Sequence, residues 1–134
     1  MPADLKSKVA MIPAEAVPDV WPRILPGLNV VQEKAGTDDF DLIYQRLTAS
    51  EAFLFLVPEG FFILLPIYRQ HPVVLLWIGY GVGGGLLARY IPLVEVMARD
   101  IGAEAVEIES TRPGYRRALK HWQRTGNRYT RRLT

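Results

Sequence analysis

The sequence contains no cysteine and only two histidines among its 134 residues. The absence of cysteine excludes a disulfide framework, a thiolate nucleophile and a cysteine-ligated zinc site. The two histidines, His71 and His121, are too few to form a metal site without help from carboxylates. We therefore expect no bound metal.

The chain also lacks a hydrophobic run long enough to cross a membrane. Its most apolar region is interrupted at residues 58–60 and again at residues 66–71, whereas a spanning helix needs about 20 apolar residues. The first residues do not have the layout of a secretory signal. With 49% hydrophobic residues, we expect one soluble, intracellular domain over residues 1–134 and no membrane partner.

Acidic residues are missing from the C-terminal segment, residues 110–134. All 14 lie at or before Glu109, where eight basic residues leave a formal charge of −6; the C-terminal segment has eight basic residues and a charge of +8. Such a basic end can bind nucleic acid or an acidic protein surface, and the oppositely charged ends can associate with each other. The alternative is a solvated helix face followed by a frayed tail.

A strand, a glycine cluster, a helix and a second strand follow one another in the middle of the chain. Residues 73–79 are an apolar run, residues 83–85 are three glycines, residues 86–102 have helical spacing and residues 103–109 read as a strand. Glycines let backbone amides approach a ligand closely, and the helix directs its N-terminus at the same place. The pattern predicts a phosphate-bearing cofactor; the alternative is a glycine-rich bulge in a splayed sheet.

The N-terminal third predicts two helices. Residues 1–17 are expected to form an extended leader with a short edge strand. Asp19 is a candidate N-cap for a helix ended by Gly36, which Pro26 should kink or split. A second helix is expected to open after residues 37–39.

The remaining elements predict an α+β fold. Two apolar runs joined by Pro58-Glu59-Gly60 indicate a hairpin. In the central helix, Pro92 predicts a kink or a late start near Ile91, and Gly102 a C-terminal cap. Its predicted buried stripe is Leu93, Met97 and Ile101, and its predicted water-facing residues are Glu95, Arg99 and Asp100. A helix over residues 115–123 and a last strand over residues 128–133 complete a mixed sheet with helices on both faces.

Two carboxylates share one face of the strand before the basic segment. Glu107 and Glu109 alternate with Val106 and Ile108, so they point to the same side. Such a pair can perform acid–base chemistry, or it can belong to a solvated or salt-bridged surface.

Several segments, in this order, resemble the GNAT superfamily of acyl-CoA N-acyltransferases, and more closely its short bacteriophage members. The segments are VWPRIL at residues 20–25, DFDLIYQRL at 39–47, LVEVMARDIG at 93–102 and RPGYRRAL at 112–119. The resemblance implies a mostly antiparallel sheet that splays at its fourth strand, with acetyl-CoA in the gap. It implies cofactor contacts from the fourth strand and the glycine cluster: Ile78, Gly79, Gly81, Val82, Gly83, Gly84, Gly85 and Leu86.

The family's chemical positions are not matched. Tyr80 stands where the family's loop has Gln or Arg, the fourth strand has no carboxylate, and Trp122 replaces the usual tyrosine acid. Tyr115, His71 and His121 are the remaining candidates for proton transfer, each with a structural alternative as a core anchor or a surface residue. The resemblance thus implies a gap in the sheet, and the residues at the family's chemical positions predict that no acid or base is well placed in it.

Two functions from different classes fit these observations. The favoured hypothesis is a phage protein that keeps the fold but works by binding, as a virion or assembly component, located in the host cytoplasm or the virion. The alternative is an acetyl-CoA-dependent N-acetyltransferase acting on a small or protein amine. A third hypothesis, nucleic-acid binding by the basic segment, rests on aromatic rings interleaved with its cations.

Overall fold

The computed structural model describes residues 9–35, 39–83, 85–110, 112 and 114–133. In this part of the chain seven strands form one sheet in the order β1-β2-β3-β4-β5-β7-β6. The strands are β1 (Ala10–Ile12), β2 (Phe53–Val57), β3 (Gly60–Tyr68), β4 (Pro72–Gly81), β5 (Ala105–Glu109), β6 (Gln123–Thr125) and β7 (Arg128–Arg132). Only β4 and β5 pair in parallel; the other pairings are antiparallel.

Helices cover both faces of the sheet. They are α1 (Val17–Ala35), α2 (Phe40–Thr48), α3 (Leu86–Asp100) and α4 (Gly114–Ala118). Buried side chains of α1 and α2 pack with Phe61 and Ile63 of β3, whereas α3 packs with Phe62 and Leu64 on the opposite face. The predicted α+β class, with a mixed and mostly antiparallel sheet, is confirmed.

The hairpin of β2 and β3 forms where the sequence predicts it. Val57 pairs with Gly60 across the two-residue turn of Pro58 and Glu59. A side chain on Gly60 would meet the carbonyl oxygen of Tyr80 at 2.0 Å, so the next strand, β4, lies too close for any other residue. The hairpin therefore fixes where the end of β4 lies.

Prolines do not interrupt the helices as predicted. Helix α1 continues through Pro22 and Pro26, and α3 continues through Pro92. A split of α1 and a late start of α3 are therefore wrong, and the other alternative for each helix, a kink at the proline, stays a prediction. Each proline leaves the carbonyl four residues earlier without its helical donor. All three prolines are exposed, so these carbonyls can bind water instead.

The start of α1 also differs from the prediction. The helix begins at Val17, after a short 3₁₀ turn at Ala14–Ala16, so Asp19 lies within its first turn rather than at the N-cap. Among the described residues of the predicted leader, β1 and Pro13 are extended. Residues 1–8 and Gly36, the predicted end of this helix, lie outside the described residues.

Two predictions for the surface of α3 are wrong. Ile101 follows the last helical residue and is 63% exposed, although Leu93 of the predicted stripe is buried. Glu95 does not face water: its side chain is 13% exposed and pairs with Arg131 of β7 at 3.1 Å. Gly102 has the left-handed φ of 83° expected of a C-terminal cap.

The C-terminal segment is more extended than predicted. Helix α4 ends at Ala118, and Gln123, the expected helix end, begins β6. Residues 123–125 pair with β7, because Gly126 takes the left-handed conformation of a tight turn at a φ of 62°. The predicted last strand is confirmed as β7.

Candidate active site

The parallel strands β4 and β5 separate after a short pairing. They form four pairs, the last between Leu76 and Ile108. β4 then continues to Gly81, paired with β3 on its other side, and β5 ends at Glu109. We call the opening between residues 78–81 and the end of β5 the fork. The splay predicted at the fourth strand is confirmed.

A β-bulge explains why the strands part at this level. On the β3 side, Ile63 pairs with Ile78 but the next residue, Leu64, pairs with Leu76. β4 therefore has one more residue, Trp77, than the strand it faces. A bulge bends its strand and increases the local twist, so it directs the second half of β4 away from β5.

The fork opens onto the glycine turn, whose described residues are Gly81, Val82, Gly83 and Gly85. Gly83 and Gly85 have positive φ values of 96° and 73°, and a side chain at either position would meet no atom within 4 Å. The turn is therefore both strained for other residues and open to a ligand. Leu86 begins α3 immediately after it, and the first N–H groups of a helix have no helical acceptor.

The predicted cofactor-binding residues surround this fork, with one exception. Gly84 lies outside the described residues. Ile78 is buried against α1 and α2, whereas Val82 is 68% exposed. Gly79 and Gly81 alternate along β4, so one face of its second half carries no side chain at these positions. The structure brings these positions together around one opening, and their role in binding stays a prediction.

A carboxylate that the sequence analysis did not single out lies beside the glycine turn. The Glu59 carbonyl accepts a hydrogen bond from the Val82 N–H at 3.0 Å. The Glu59 carboxylate accepts one from the Tyr90 hydroxyl at 2.7 Å and pairs with Arg89. The predicted hairpin of β2 and β3 places Glu59 in its turn, but nothing local in the sequence indicates these side-chain contacts with residues 30 and 31 positions away.

The paired carboxylates of β5 form salt bridges with Arg69, the residue that follows β3. Arg69 donates from Nε to both oxygens of Glu107, at 3.0 and 2.9 Å. Its Nη2 lies 3.6 Å from Glu109. The hydrogen bonds with Glu107 raise the pKa of Arg69, so Arg69 keeps its charge. Glu107 is 4% exposed, and both of its carboxylate oxygens accept hydrogen bonds from Arg69.

Glu109 is the carboxylate at the fork. It follows Ile108, the last residue of β5 that pairs with β4, and its side chain is 57% exposed. It points to the same sheet face as Glu107, the face covered by α1 and α2 further along the sheet. Glu109 is thus a carboxylate next to the fork, and the expectation that no acid or base is well placed there stays a prediction. The i, i+2 spacing of Glu107 and Glu109 identified both residues in the sequence. It did not show where along β5 the fork lies, so it could not indicate which of the two is next to the fork.

The three residues predicted for proton transfer lie in three different surroundings. His71 precedes β4 and so lies at the opposite end of this ten-residue strand from the glycine turn, roughly 30 Å away at 3.3 Å per residue. His121 is exposed between α4 and β6. Tyr115 packs against the α3-side core, and burial raises its pKa. The structure does not bring His71 to the fork.

A second concavity lies at the other end of α3. This apolar groove of about 430 Å³ is lined by residues of the first four strands and of α3, including Met11, Leu93 and Ile101. Asp100 is its one acidic lining residue. The groove has no glycine turn and no helix N-terminus, so it does not offer the phosphate-binding features of the fork.

Two searches of the described residues bear on other kinds of site. They contain no group of three or more His, Asp or Glu side chains that could hold a metal ion. None of the helices in the described ranges is long and apolar enough to cross a membrane.

Comparison with solved structures identifies the fold. No protein-family model matches the chain, and no curated protein matches it in sequence. N-acetylglutamate synthase from Neisseria gonorrhoeae, in complex with coenzyme A and N-acetyl-glutamate, superposes with a TM-score of 0.67 and 14% identity. The match covers 94% of this chain but only 35% of the synthase chain.

Two shorter proteins match over nearly their whole length. A GNAT-family acetyltransferase from Listeria monocytogenes 4b F2365 gives a TM-score of 0.62 at 12% identity, covering 93% of this chain and 94% of that one. A probable acetyltransferase gives 0.59 at 14% identity, covering 87% and 89%. The chain has the GNAT fold, and its structural neighbours are GNAT-family acetyltransferases. These matches do not bear on a phage origin, which stays a prediction.

Proposed function

We propose that this protein is an acyl-CoA-dependent N-acyltransferase that holds acetyl-CoA in the fork and acetylates an amine. The observation that carries the proposal is the early end of β4–β5 pairing at Leu76, while β4 continues to the glycine turn. An extended ligand with amide groups can pair with a strand edge, and its phosphates can bind the glycine amides and the N-terminus of α3. The CoA complex of the structurally similar synthase supports this ligand.

The residues of the fork fit the two parts of such a ligand. Gly79 and Gly81 give β4 no side chain at these positions, and Gly83 and Gly85 leave open space at the turn. No carboxylate of the described residues projects from the second half of β4. The pyrophosphate would therefore lie against backbone N–H groups and the positive end of the α3 dipole.

Acyl transfer to an amine needs a proton acceptor, and we assign this role to Glu109. Acetyl-CoA supplies a thioester, from which sulfur leaves as a thiolate when the amine nitrogen bonds to the acyl carbon. An ammonium must lose a proton before its nitrogen can attack. Glu109 is exposed at the end of β5, where the strands part, and can accept that proton directly or through water.

A glycine pair provides the test. Gly83→Ala and Gly102→Ala both place a side chain at positive φ in open space, at a strain of about 1–2 kcal/mol each. Only Gly83 lies at the fork; Gly102 is at the far end of α3. Calorimetric titration with CoA should show affinity reduced about tenfold or more by Gly83→Ala, and unchanged by Gly102→Ala.

The outcomes separate the proposal from its alternative. No binding of CoA to the unmodified protein at millimolar concentration would contradict the proposal and favour a protein that works only by binding partners. Turnover can be followed by CoA thiol release with a thiol reagent, because the chain contains no cysteine that would react.

A further inference from the structure

The cluster around Glu59 ties three parts of the chain together beside the fork. The β2–β3 turn contributes Glu59, the glycine turn contributes the N–H of Val82, and the first turns of α3 contribute Arg89 and Tyr90. One residue thus contacts both the loop and the helix where a phosphate would bind. The backbone geometry of the glycine turn does not need this carboxylate, since only the Glu59 carbonyl bonds to Val82.

The side chains of the cluster differ in exposure. Tyr90 is buried at 2% exposure, and the Glu59 side chain is 17% exposed. The side chain of Arg89 is 51% exposed. The cluster therefore has an anchored inner side, formed by Tyr90 and Glu59, and an outer guanidinium that faces solvent at the start of α3.

The charges of the cluster leave Arg89 available for a second anion. The Tyr90 hydrogen bond lowers the pKa of Glu59, so the carboxylate stays ionised and holds the guanidinium. The contact with Glu59 uses Nη1 of Arg89, whereas a guanidinium has five N–H donors in a fixed fork. A guanidinium can therefore bridge a carboxylate on one side and a phosphate on the other.

We propose that Arg89 is a phosphate-binding residue of the fork and that Glu59 is the positioning residue that holds it there. The inference rests on the proposed function, because it concerns the phosphates of the acyl-CoA. It has a consequence that simple packing would not have. Without Arg89, the Glu59 carboxylate would stand next to the phosphate with its charge uncompensated, so the loss of Arg89 should hurt binding more than the loss of both.

The experiment is a double-mutant cycle read out on two ligands. CoA carries the phosphates, whereas S-acetyl-pantetheine keeps the extended pantetheine chain, with an acetyl group on sulfur, and lacks both the phosphates and the adenosine. Arg89→Met should weaken CoA binding about tenfold to a hundredfold and leave S-acetyl-pantetheine binding unchanged. Adding Glu59→Gln to Arg89→Met should recover part of the lost CoA affinity. Arg99→Met, an exposed arginine in the last turn of α3, is the matched control and should change neither affinity.

Each outcome decides between specific accounts. Equal weakening of both ligands by Arg89→Met, or a double variant weaker than Arg89→Met, would overturn the proposal and make the cluster a structural clamp only. Binding of S-acetyl-pantetheine but not CoA by the unmodified protein would overturn it as well. Failure of the unmodified protein to bind either ligand would instead contradict the proposed function. Thermal unfolding of each variant shows whether it folds, and Glu59→Gln alone, which keeps the shape of the side chain, provides a second variant.

Discussion

The two halves of β4 differ in their neighbours although they belong to one nearly continuous apolar run. In the first half, Val73 to Leu76 pair with β3 on one side and with β5 on the other. In the second half, residues 78–81 pair with β3 and with no other strand of the described residues. The division falls at Trp77, the bulged residue. A single extra residue thus separates the half of β4 that pairs on both sides and belongs to the core from the half whose edge toward β5 is unpaired.

The side chains follow the same division. Val73, Val74 and Leu76 are buried, as expected of a central strand covered on both faces. Two of the last three residues of β4 are glycines, which weaken a strand and leave room for a close approach. The comparison shows that the apolar run alone does not define the function of a strand; the residues that interrupt it do.

The strongest test of this difference uses the two carboxylates of β5. Glu107 is level with Leu75 in the paired half, whereas Glu109 lies at the fork. Glu109→Gln should lower kcat about a hundredfold to ten-thousandfold and leave CoA affinity unchanged, because it removes a proton acceptor and no cofactor contact. Steady-state kinetics with thiol release measures both.

Glu107→Gln is the control for this pair, because it should lower stability rather than activity. Its carboxylate accepts two hydrogen bonds from Arg69, and glutamine removes the negative charge and one of the two acceptor oxygens, which should cost about 1.5–3 kcal/mol of unfolding free energy. A Glu109→Gln protein that turns over normally would remove Glu109 from the mechanism.

The next prediction concerns the support of the second half of β4. Since only β3 pairs with it, Gly60→Ala, whose side chain would lie 2.0 Å from the Tyr80 carbonyl oxygen, should destabilise the protein by about 3 kcal/mol. Gly114→Ala is the control: its side chain meets no atom within 4 Å, and alanine favours the helix it begins. Denaturant unfolding measures both, and a Gly60→Ala protein as stable as Gly114→Ala would show that β4 can detach from β3 at little cost.

The smallest expected effect concerns the buried tyrosine next to the fork. Burial, together with the negative charge of Glu59, raises the pKa of Tyr90 to about 12. Because the folded state holds this proton more tightly than the unfolded state does, stability should fall as the pH rises from about 10 to about 12. Tyr90→Phe should remove that alkaline loss and cost about 1.5–3 kcal/mol at neutral pH for the lost hydrogen bond. If the stability of Tyr90→Phe fell over the same alkaline pH range as that of the unmodified protein, Tyr90 would not be the group responsible for the fall.

The sequence predicted the elements whose signals are local. The hairpin at Pro58-Glu59-Gly60, the β4 run, the cap at Gly102 and the α+β order all follow from turn chemistry and hydrophobic patterning. The continuity of α1 through Pro26 was missed because propensity rules take no account of where a proline faces. The three residues of β6 were missed because so short a strand is defined by its pairing with β7.

The candidate site was less readable, because it depends on where strands part and on contacts distant in sequence. The splay came from a family resemblance and not from composition or spacing. The level of the fork depends on the bulge at Trp77, which carries no turn or breaker residue. The Glu59 contact with Tyr90 joins residues 31 positions apart. His71 is close in sequence to the apolar run, but it precedes β4 and so lies at the end of that strand opposite the fork.

Hydrogen exchange at β4 in the presence of CoA tests the central claim most directly. If acyl-CoA pairs with the free edge of the fork, amide exchange in residues 78–81 should slow when CoA is added, while residues 73–76, already paired on both sides, should not change. Equal exchange in residues 78–81 with and without millimolar CoA would contradict the account.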